Sequence, residues 1–159
     1  MGRHFPILCF LCLFGLTLSA AQATPPEDPV LGTWRLNVER STFTPGPGWR
    51  SQTRTYRATP AGVSVSWEGV DAGGERMEVS YTYAYDGRDY PMVGSASYDT
   101  LNAVRVDART VRSEEKRDGA IVGIAVRTVS PDGRLLTITD QGTSRRGRPF
   151  SQILVFDRQ

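Results

Sequence analysis

The sequence predicts an all-β protein, a single up-and-down antiparallel β-barrel of about ten strands with no helical lid. Turn signals such as Asp86-Gly87 and Asp118-Gly119 recur about every ten residues after Arg50, which is typical of short strands in a barrel or sandwich. Between the turns, apolar and polar residues alternate, as they do from Met77 to Tyr83. A sheet of consecutive hairpins leaves two exposed edges, and pairing the first strand with the last removes both.

The first residues are interpreted as a cleaved signal peptide. Arg3 and His4 are followed by a run of large apolar residues that ends at Leu18, and Ala21-Gln22-Ala23 has the form of a cleavage site. A membrane anchor needs about 20 apolar residues, more than this run contains. We therefore expect a secreted or periplasmic protein without a stable membrane anchor. The expected segments are a signal peptide at 1–23, an extended and poorly ordered lead-in at 24–30, and one barrel domain at 31–159.

Composition argues against several classes of function. Cleavage would remove Cys9, Cys12 and His4, so the mature chain would contain no cysteine and no histidine. The usual thiol nucleophile, neutral-pH general base and zinc ligands would then be missing. The formal net charge of +2 would fall by one with Arg3, which leaves no field to attract nucleic acid. We expect no enzyme, no cofactor, no metal site and no nucleic-acid partner.

Alternation and turn lengths assign residues to the barrel interior. The inward face of one strand contains Tyr81 and Tyr83, and a two-residue turn at Asp86-Gly87 places Tyr81 opposite Met92. A two-residue turn at Asp118-Gly119 places Ser113 opposite Ile124 and Val111 opposite Val126. A three-residue loop after Ser130 places Val126 opposite Ile138. These registers predict that Ile124, Val126 and Ile138 point inward, whereas Arg112 and Arg127 point outward.

Four features remain open at this stage. The register at Pro60-Ala61 decides whether Arg54 enters the barrel opposite Trp67. Asp140 would fall on the inner face near Ile124 in one register, where burial would raise its pKa. The segment 39–49 is either a surface connection or a flap over the barrel mouth that carries two large apolar residues. The aromatic residues assigned to the interior either line a cavity or fill the barrel; the four are Trp67, Tyr81, Tyr83 and Tyr90.

Gly32-Thr33-Trp34, at the start of the first strand, resembles the G-x-W signature of lipocalins and their calycin relatives. In that family the tryptophan plugs the closed end of the barrel and a basic residue of the last strand packs over it. The resemblance implies this structural role for Gly32, Trp34 and Arg158. The chain from Arg127 to the C-terminus resembles the closing strands of fatty-acid-binding proteins. The longer pattern GTWRLNVERSTFTPGPG…SQTRTY resembles small, mostly uncharacterised secreted bacterial proteins with a lipocalin-like fold.

Two departures from that resemblance affect the expected ligand. Segment 39–49 is too rich in proline and glycine for the helical lid of fatty-acid-binding proteins. Leu154 and Phe156 stand where that family has an inward Arg-x-Tyr that grips a carboxylate. With Arg112 and Arg127 assigned outward, we expect a preference for neutral apolar ligands over fatty acids, unless Arg54 turns inward.

The expected function is a binding module for a small apolar or amphipathic ligand in the barrel cavity. The alternative is a filled barrel that acts through its loops on a protein partner, as an interaction or inhibitor module. The sequence identifies neither the ligand nor such a partner. The predicted lumen residues are Arg54, Trp67, Tyr81, Tyr83, Met92, Ile124, Val126, Ile138, Leu154 and Phe156.

Overall fold

The computed structural model describes residues 27–159, so the predicted signal peptide and residues 24–26 lie outside the described part of the chain. The described part contains one 3-10 turn (Val38–Arg40) and eleven strands. The strands are β1 (Gly32–Leu36), β2 (Thr42–Thr44), β3 (Ser51–Thr59), β4 (Gly62–Val70), β5 (Arg76–Tyr83), β6 (Tyr90–Val93), β7 (Thr100–Arg105), β8 (Thr110–Arg117), β9 (Ala120–Val129), β10 (Leu135–Thr143) and β11 (Pro149–Arg158).

The sheet closes on itself between its first and last strands. β1 pairs with β3 on one side and with β11 on the other, where Trp34 lies opposite Arg158. After β1 the chain leaves the sheet, and β2 then pairs with the preceding part of β11, where Thr44 lies opposite Ser151. All neighbouring strands are antiparallel and consecutive in sequence apart from this exchange. The predicted all-β closed barrel without a helical lid is confirmed. In residues 27–159 no helix is long and apolar enough to cross a membrane.

Trp34 closes the floor of the barrel. Its side chain is fully buried, and Nε1 donates a hydrogen bond of 2.7 Å to the Val30 carbonyl oxygen. The Arg158 guanidinium lies over the indole, with Cζ 4.1 Å from the ring centroid. A Cβ at Gly32, which has φ of +123°, would come within 2.9 Å of Arg158 Nη1. These residues therefore contact one another in the places that the resemblance implies.

The end of the expected lead-in is ordered and belongs to the floor. Val30 is 1% exposed, and the Asp28 carboxylate accepts hydrogen bonds from Tyr85 Oη and from Arg105 Nη2. Because both partners lie on the barrel, residues 28–30 differ from the poorly ordered lead-in that was expected there.

A β-bulge changes the register between β8 and β9. The two-residue turn forms as predicted, with Arg117 opposite Ala120, but the register shifts between Glu115 and Lys116. Beyond the bulge Val111 lies opposite Arg127. Since side chains alternate with a period of two, this one-residue slip exchanges the two faces of β9.

The bulge makes the predicted faces of β9 wrong. Ile124 and Val126 point out of the barrel, and Val126 is 36% exposed, whereas Arg127 points inward and is only 7% exposed. The following loop also has one residue more than predicted, because the Ser130 amide donates to the Leu135 carbonyl oxygen. Ile138 consequently stays inside but faces Arg127 rather than Val126.

The hairpin at Pro60-Ala61 settles the orientation of Arg54. Thr59 pairs with Gly62, so the two residues between them form the whole turn. In this register Arg54 lies opposite Trp67, and both side chains face the interior.

Candidate functional site: a charged cavity in the barrel lumen

The barrel encloses a cavity of about 60 Å³. Pockets for small molecules usually measure about 300–1,000 Å³, so this interior is mostly filled by side chains. Five of the predicted lumen residues line the cavity; they are Arg54, Tyr81, Tyr83, Met92 and Ile138. Three charged side chains that were not predicted or were left open join them, namely Glu115, Arg127 and Asp140.

The other predicted residues lie elsewhere in the barrel. Leu154 and Phe156 are buried in the core, at 1% and 0% exposure. Trp67 packs against that core near the mouth. Tyr90 also packs on the core, and its Oη donates to Asp86 at the barrel surface. Side-chain packing therefore accounts for part of the predicted aromatic lining.

Arg54 presents its guanidinium to the cavity. Its Nε donates to Gln52 Oε1 at 2.9 Å, and Cζ lies 5.3 Å from the Trp67 ring centroid and 5.4 Å from that of Phe156. Among residues 27–159, no carboxylate oxygen lies within 4.0 Å of its nitrogens. Burial opposes the charge, but interactions with Tyr56, Tyr81 and Glu115 raise the pKa of Arg54 above its ordinary value. Arg54 is therefore a permanent cation held by neutral and aromatic neighbours.

Arg127 is a second cation inside the barrel. Nη1 donates to Tyr83 Oη at 2.7 Å and Nη2 donates to Tyr85 Oη at 2.8 Å. The guanidinium also lies over Tyr56, with Cζ 5.1 Å from the ring centroid. Burial works against its charge, yet the surrounding tyrosines hold the pKa of Arg127 above the usual value. Sequence reasoning missed this residue because the bulge, whose extra residue is Val122 of β9, reverses the face of β9.

Two acidic side chains face the same cavity. Asp140 is 7% exposed and lies on the inner face as one register suggested, although its partner across the strands is Ala125 rather than Ile124. Burial raises the pKa of Asp140, against the effect of its hydrogen bond from Gln152. Burial also raises the pKa of Glu115 to about 8, and the charge of Asp140 adds to that shift.

The pattern Glu114-Glu115 could have suggested one inward carboxyl. Neighbouring strand residues face opposite ways, and Glu114 does point outward, where it accepts from Asn102 and Arg112. Glu115 therefore points inward, and it meets Asp140 of β10 rather than its own neighbour. The lumen therefore contains two guanidinium groups and two carboxyls, and burial raises the pKa of both carboxyls.

The segment between β1 and β3 covers the mouth of the barrel. Phe43 and Trp49 both pack against the core, and the Trp49 ring meets Trp67 edge to face with centroids 5.6 Å apart. Gly48 allows this packing, because a Cβ there would lie 2.1 Å from the Phe43 ring. This arrangement corresponds to the flap rather than to a plain surface connection.

Other parts of the described chain offer weaker candidates. An open groove of about 520 Å³ lies on the outer surface of β3 to β6, with Glu68 and Glu78 directly opposite each other. Its lining is largely polar and lies on the outside of the barrel, whereas the 60 Å³ cavity lies between inward-facing side chains. Residues 27–159 contain no group of three or more histidine, cysteine, aspartate or glutamate side chains placed to hold a metal ion.

No protein-family model matches the chain, and no curated protein matches it either. Among solved structures it is similar to As-p18, an extracellular fatty acid binding protein, with a TM-score of 0.52, 15% identity, and coverage of 83% of this chain and 97% of that one. The zebrafish ileal bile acid-binding protein complexed with cholic acid gives a TM-score of 0.47, 7% identity and coverage of 82% and 99%. The siderocalin Ex-FABP gives a TM-score of 0.37 and 12% identity, with coverage of 82% of this chain and 74% of that one. The likeness to As-p18 is one of fold, a closed antiparallel β-barrel of consecutive hairpins.

Proposed function

We propose that the protein is a secreted or periplasmic binding module that holds a small amphipathic ligand in the barrel, with the ligand's anionic group at Arg54. The observation that carries this proposal is the Arg54 guanidinium, which faces the cavity with no carboxylate of residues 27–159 within 4.0 Å. A partly buried charge without a carboxylate in direct contact is costly, and an incoming anion would offset that cost.

The neighbours of Arg54 suit such a ligand. Nε donates to Gln52 and the guanidinium also interacts with Tyr56, so a carboxylate would bind through charge-assisted hydrogen bonds from the terminal nitrogens. Tyr81 and Met92 line the same cavity and offer apolar surface for the rest of the molecule. Because the cavity measures only about 60 Å³, entry requires the flap that carries Phe43 and Trp49 to move.

This proposal reverses the ligand preference expected from the sequence. That expectation required an interior without a cation, whereas Arg54 and Arg127 both point inward. It keeps the expectation that the protein binds its ligand without transforming it. Secretion is likewise proposed from the sequence of residues 1–23.

The test is a displacement titration that compares octanoate with methyl octanoate, read by an environment-sensitive apolar dye. We expect the free acid to bind at least about tenfold more tightly at pH 7, because one charge-assisted hydrogen bond is worth roughly that factor. Arg54→Leu should remove this preference. Arg57→Leu is the matched control, since Arg57 lies on the same strand but is exposed.

Equal binding of acid and ester by the unmodified protein would contradict the role of Arg54. If Arg57→Leu lost the preference for the free acid as completely as Arg54→Leu, that result would also contradict the role of Arg54.

The small cavity favours one other function, a filled barrel that acts through its loops on a protein partner. This alternative predicts that neither acid nor ester displaces the dye at millimolar concentration. Native mass spectrometry of the protein from its own host would separate the two, because a binding module should retain a small molecule and a filled barrel should not.

A further inference from the structure

We propose that the lumen has a second polar subsite, formed by Asp140 with Glu115 beside it, which accepts a hydrogen bond from a donor next to the ligand's anionic group. The ligand class is then an α-hydroxy or α-amino acid with an apolar tail. This inference rests on the proposed function of Arg54.

Asp140 supplies the acceptor. Its Oδ2 accepts from Gln152 Nε2 at 2.7 Å, whereas Oδ1 is buried and has no hydrogen-bond partner. The residue is 7% exposed and lines the cavity. Leaving a buried acceptor unsatisfied costs free energy, so a donor that enters the cavity would be stabilised there.

Glu115 adds a second carboxyl beside Asp140 in the lining of the cavity. Its Oε2 is also buried without a hydrogen-bond partner, and the two carboxyls are close enough for Asp140 to raise the pKa of Glu115. Tyr98 lies beside it, because a Cβ at Gly123 would be 2.6 Å from Glu115 Oε2 and 3.5 Å from Tyr98 Oη. Each of the two carboxyls therefore has one buried oxygen without a hydrogen-bond partner, and both residues line the cavity.

Arg54 and these carboxyls are separated by the cavity rather than paired. Asp140 and Glu115 both interact electrostatically with Arg54, yet no carboxylate of the described chain lies within 4.0 Å of its nitrogens. A group placed between the two sides must accept hydrogen bonds from Arg54 and donate one to Asp140. A carboxylate with an adjacent hydroxyl or ammonium does both, whereas a plain fatty acid satisfies only Arg54.

The experiment measures the dissociation constants of octanoate, 2-hydroxyoctanoate and 2-aminooctanoate at pH 7 by the same dye displacement. The three share one apolar tail and one carboxylate; 2-hydroxyoctanoate adds a neutral donor, and 2-aminooctanoate adds a donor that also carries a positive charge. We expect the hydroxy and amino acids to bind at least about tenfold more tightly than octanoate. Equal affinities would overturn the subsite while leaving the function of Arg54 intact. No binding of any of the three would overturn both proposals.

Asp140→Asn tests the residue itself. The oxygen of the new amide can still accept from Gln152, but its nitrogen then stands in the place of Oδ1 and can only donate, so the ratio between octanoate and its substituted analogues should fall to near one. Glu78→Gln is the control, because Glu78 is exposed on the outer face of β5, and it should keep the full ratio. A preference that persists in Asp140→Asn would overturn the proposal. If that variant does not fold, the ligand series on the unmodified protein decides.

Discussion

Glu115 and Gly123 are partners across β8 and β9, and the absence of a side chain at Gly123 makes the room that the Glu115 carboxyl occupies. A Cβ at this glycine would lie 2.6 Å from Glu115 Oε2. The bulge sets the register that places Gly123 opposite Glu115, and the glycine leaves space for the Glu115 carboxyl inside the barrel.

Gly123→Ala should destabilise the protein by about 1–3 kcal/mol, because an extra methyl group in a packed interior forces its neighbours to shift. The free energy of unfolding in urea measures this. Combining it with Glu115→Ala should recover most of the loss, since the two residues are coupled directly. Additive effects of the two substitutions would show that the carboxyl is not what the new methyl group meets.

Stability should fall as the pH rises through the range in which Glu115 ionises. Its pKa is about 8 in the folded protein against an ordinary value of 4.5, so the unfolded chain loses this proton first. The contribution of Glu115 to the free energy of unfolding is fully present below about pH 4.5. It declines by up to roughly 1 kcal/mol per pH unit as the pH rises, and it is lost above about pH 8.

Unfolding measured at pH 5, 6, 7 and 8 checks this dependence. Glu115→Gln should flatten the profile relative to the unmodified protein, and Glu78→Gln should not, because that side chain is exposed. Parallel profiles for Glu115→Gln and the unmodified protein would count against a buried, neutral Glu115.

Trp34→Ala should cost about 3–5 kcal/mol of stability through lost burial and the cavity that remains. The substitution also removes the hydrogen bond to Val30 and the surface on which Arg158 lies. Thermal or urea unfolding measures the change, and Trp49→Ala, in the flap, should cost less. A loss under about 1 kcal/mol for Trp34→Ala would mean that the floor is not built on this residue.

Backbone amides along the β1–β11 seam should be strongly protected in hydrogen exchange, because this pairing closes the barrel. β6 is the internal comparison. It pairs with each neighbour through only two residues and should exchange faster. Rapid exchange in β11 on the side that faces β1 would indicate an open sheet.

The sequence by itself determined the class of fold and the way in which it closes. Turn residues such as Asp118-Gly119 favour a tight reversal of the chain locally, and that turn forms as predicted. The two-residue turn predicted at Asp86-Gly87 does not form, because Asp86 pairs with Val104 instead. Alternation then predicts the inner face of β5 and the pairing of Tyr81 with Met92, which the structure confirms. The closure of β1 on β11 follows from the cost of exposed edges, so it too could be predicted.

Only the tertiary structure decided what lies inside. Residues 120–129 are apolar on both faces of the strand, so alternation could not say which face is buried, and no turn signal marks the bulge beside Glu115. A one-residue slip there moves Arg127 inward and Ile124 outward. The inward orientation of Arg54 likewise depends on the register of the hairpin at Pro60-Ala61, which the sequence left open. The charge of the lumen arises from registers that neighbouring strands impose on one another, because the packing of the whole barrel selects among pairings that each hairpin alone permits.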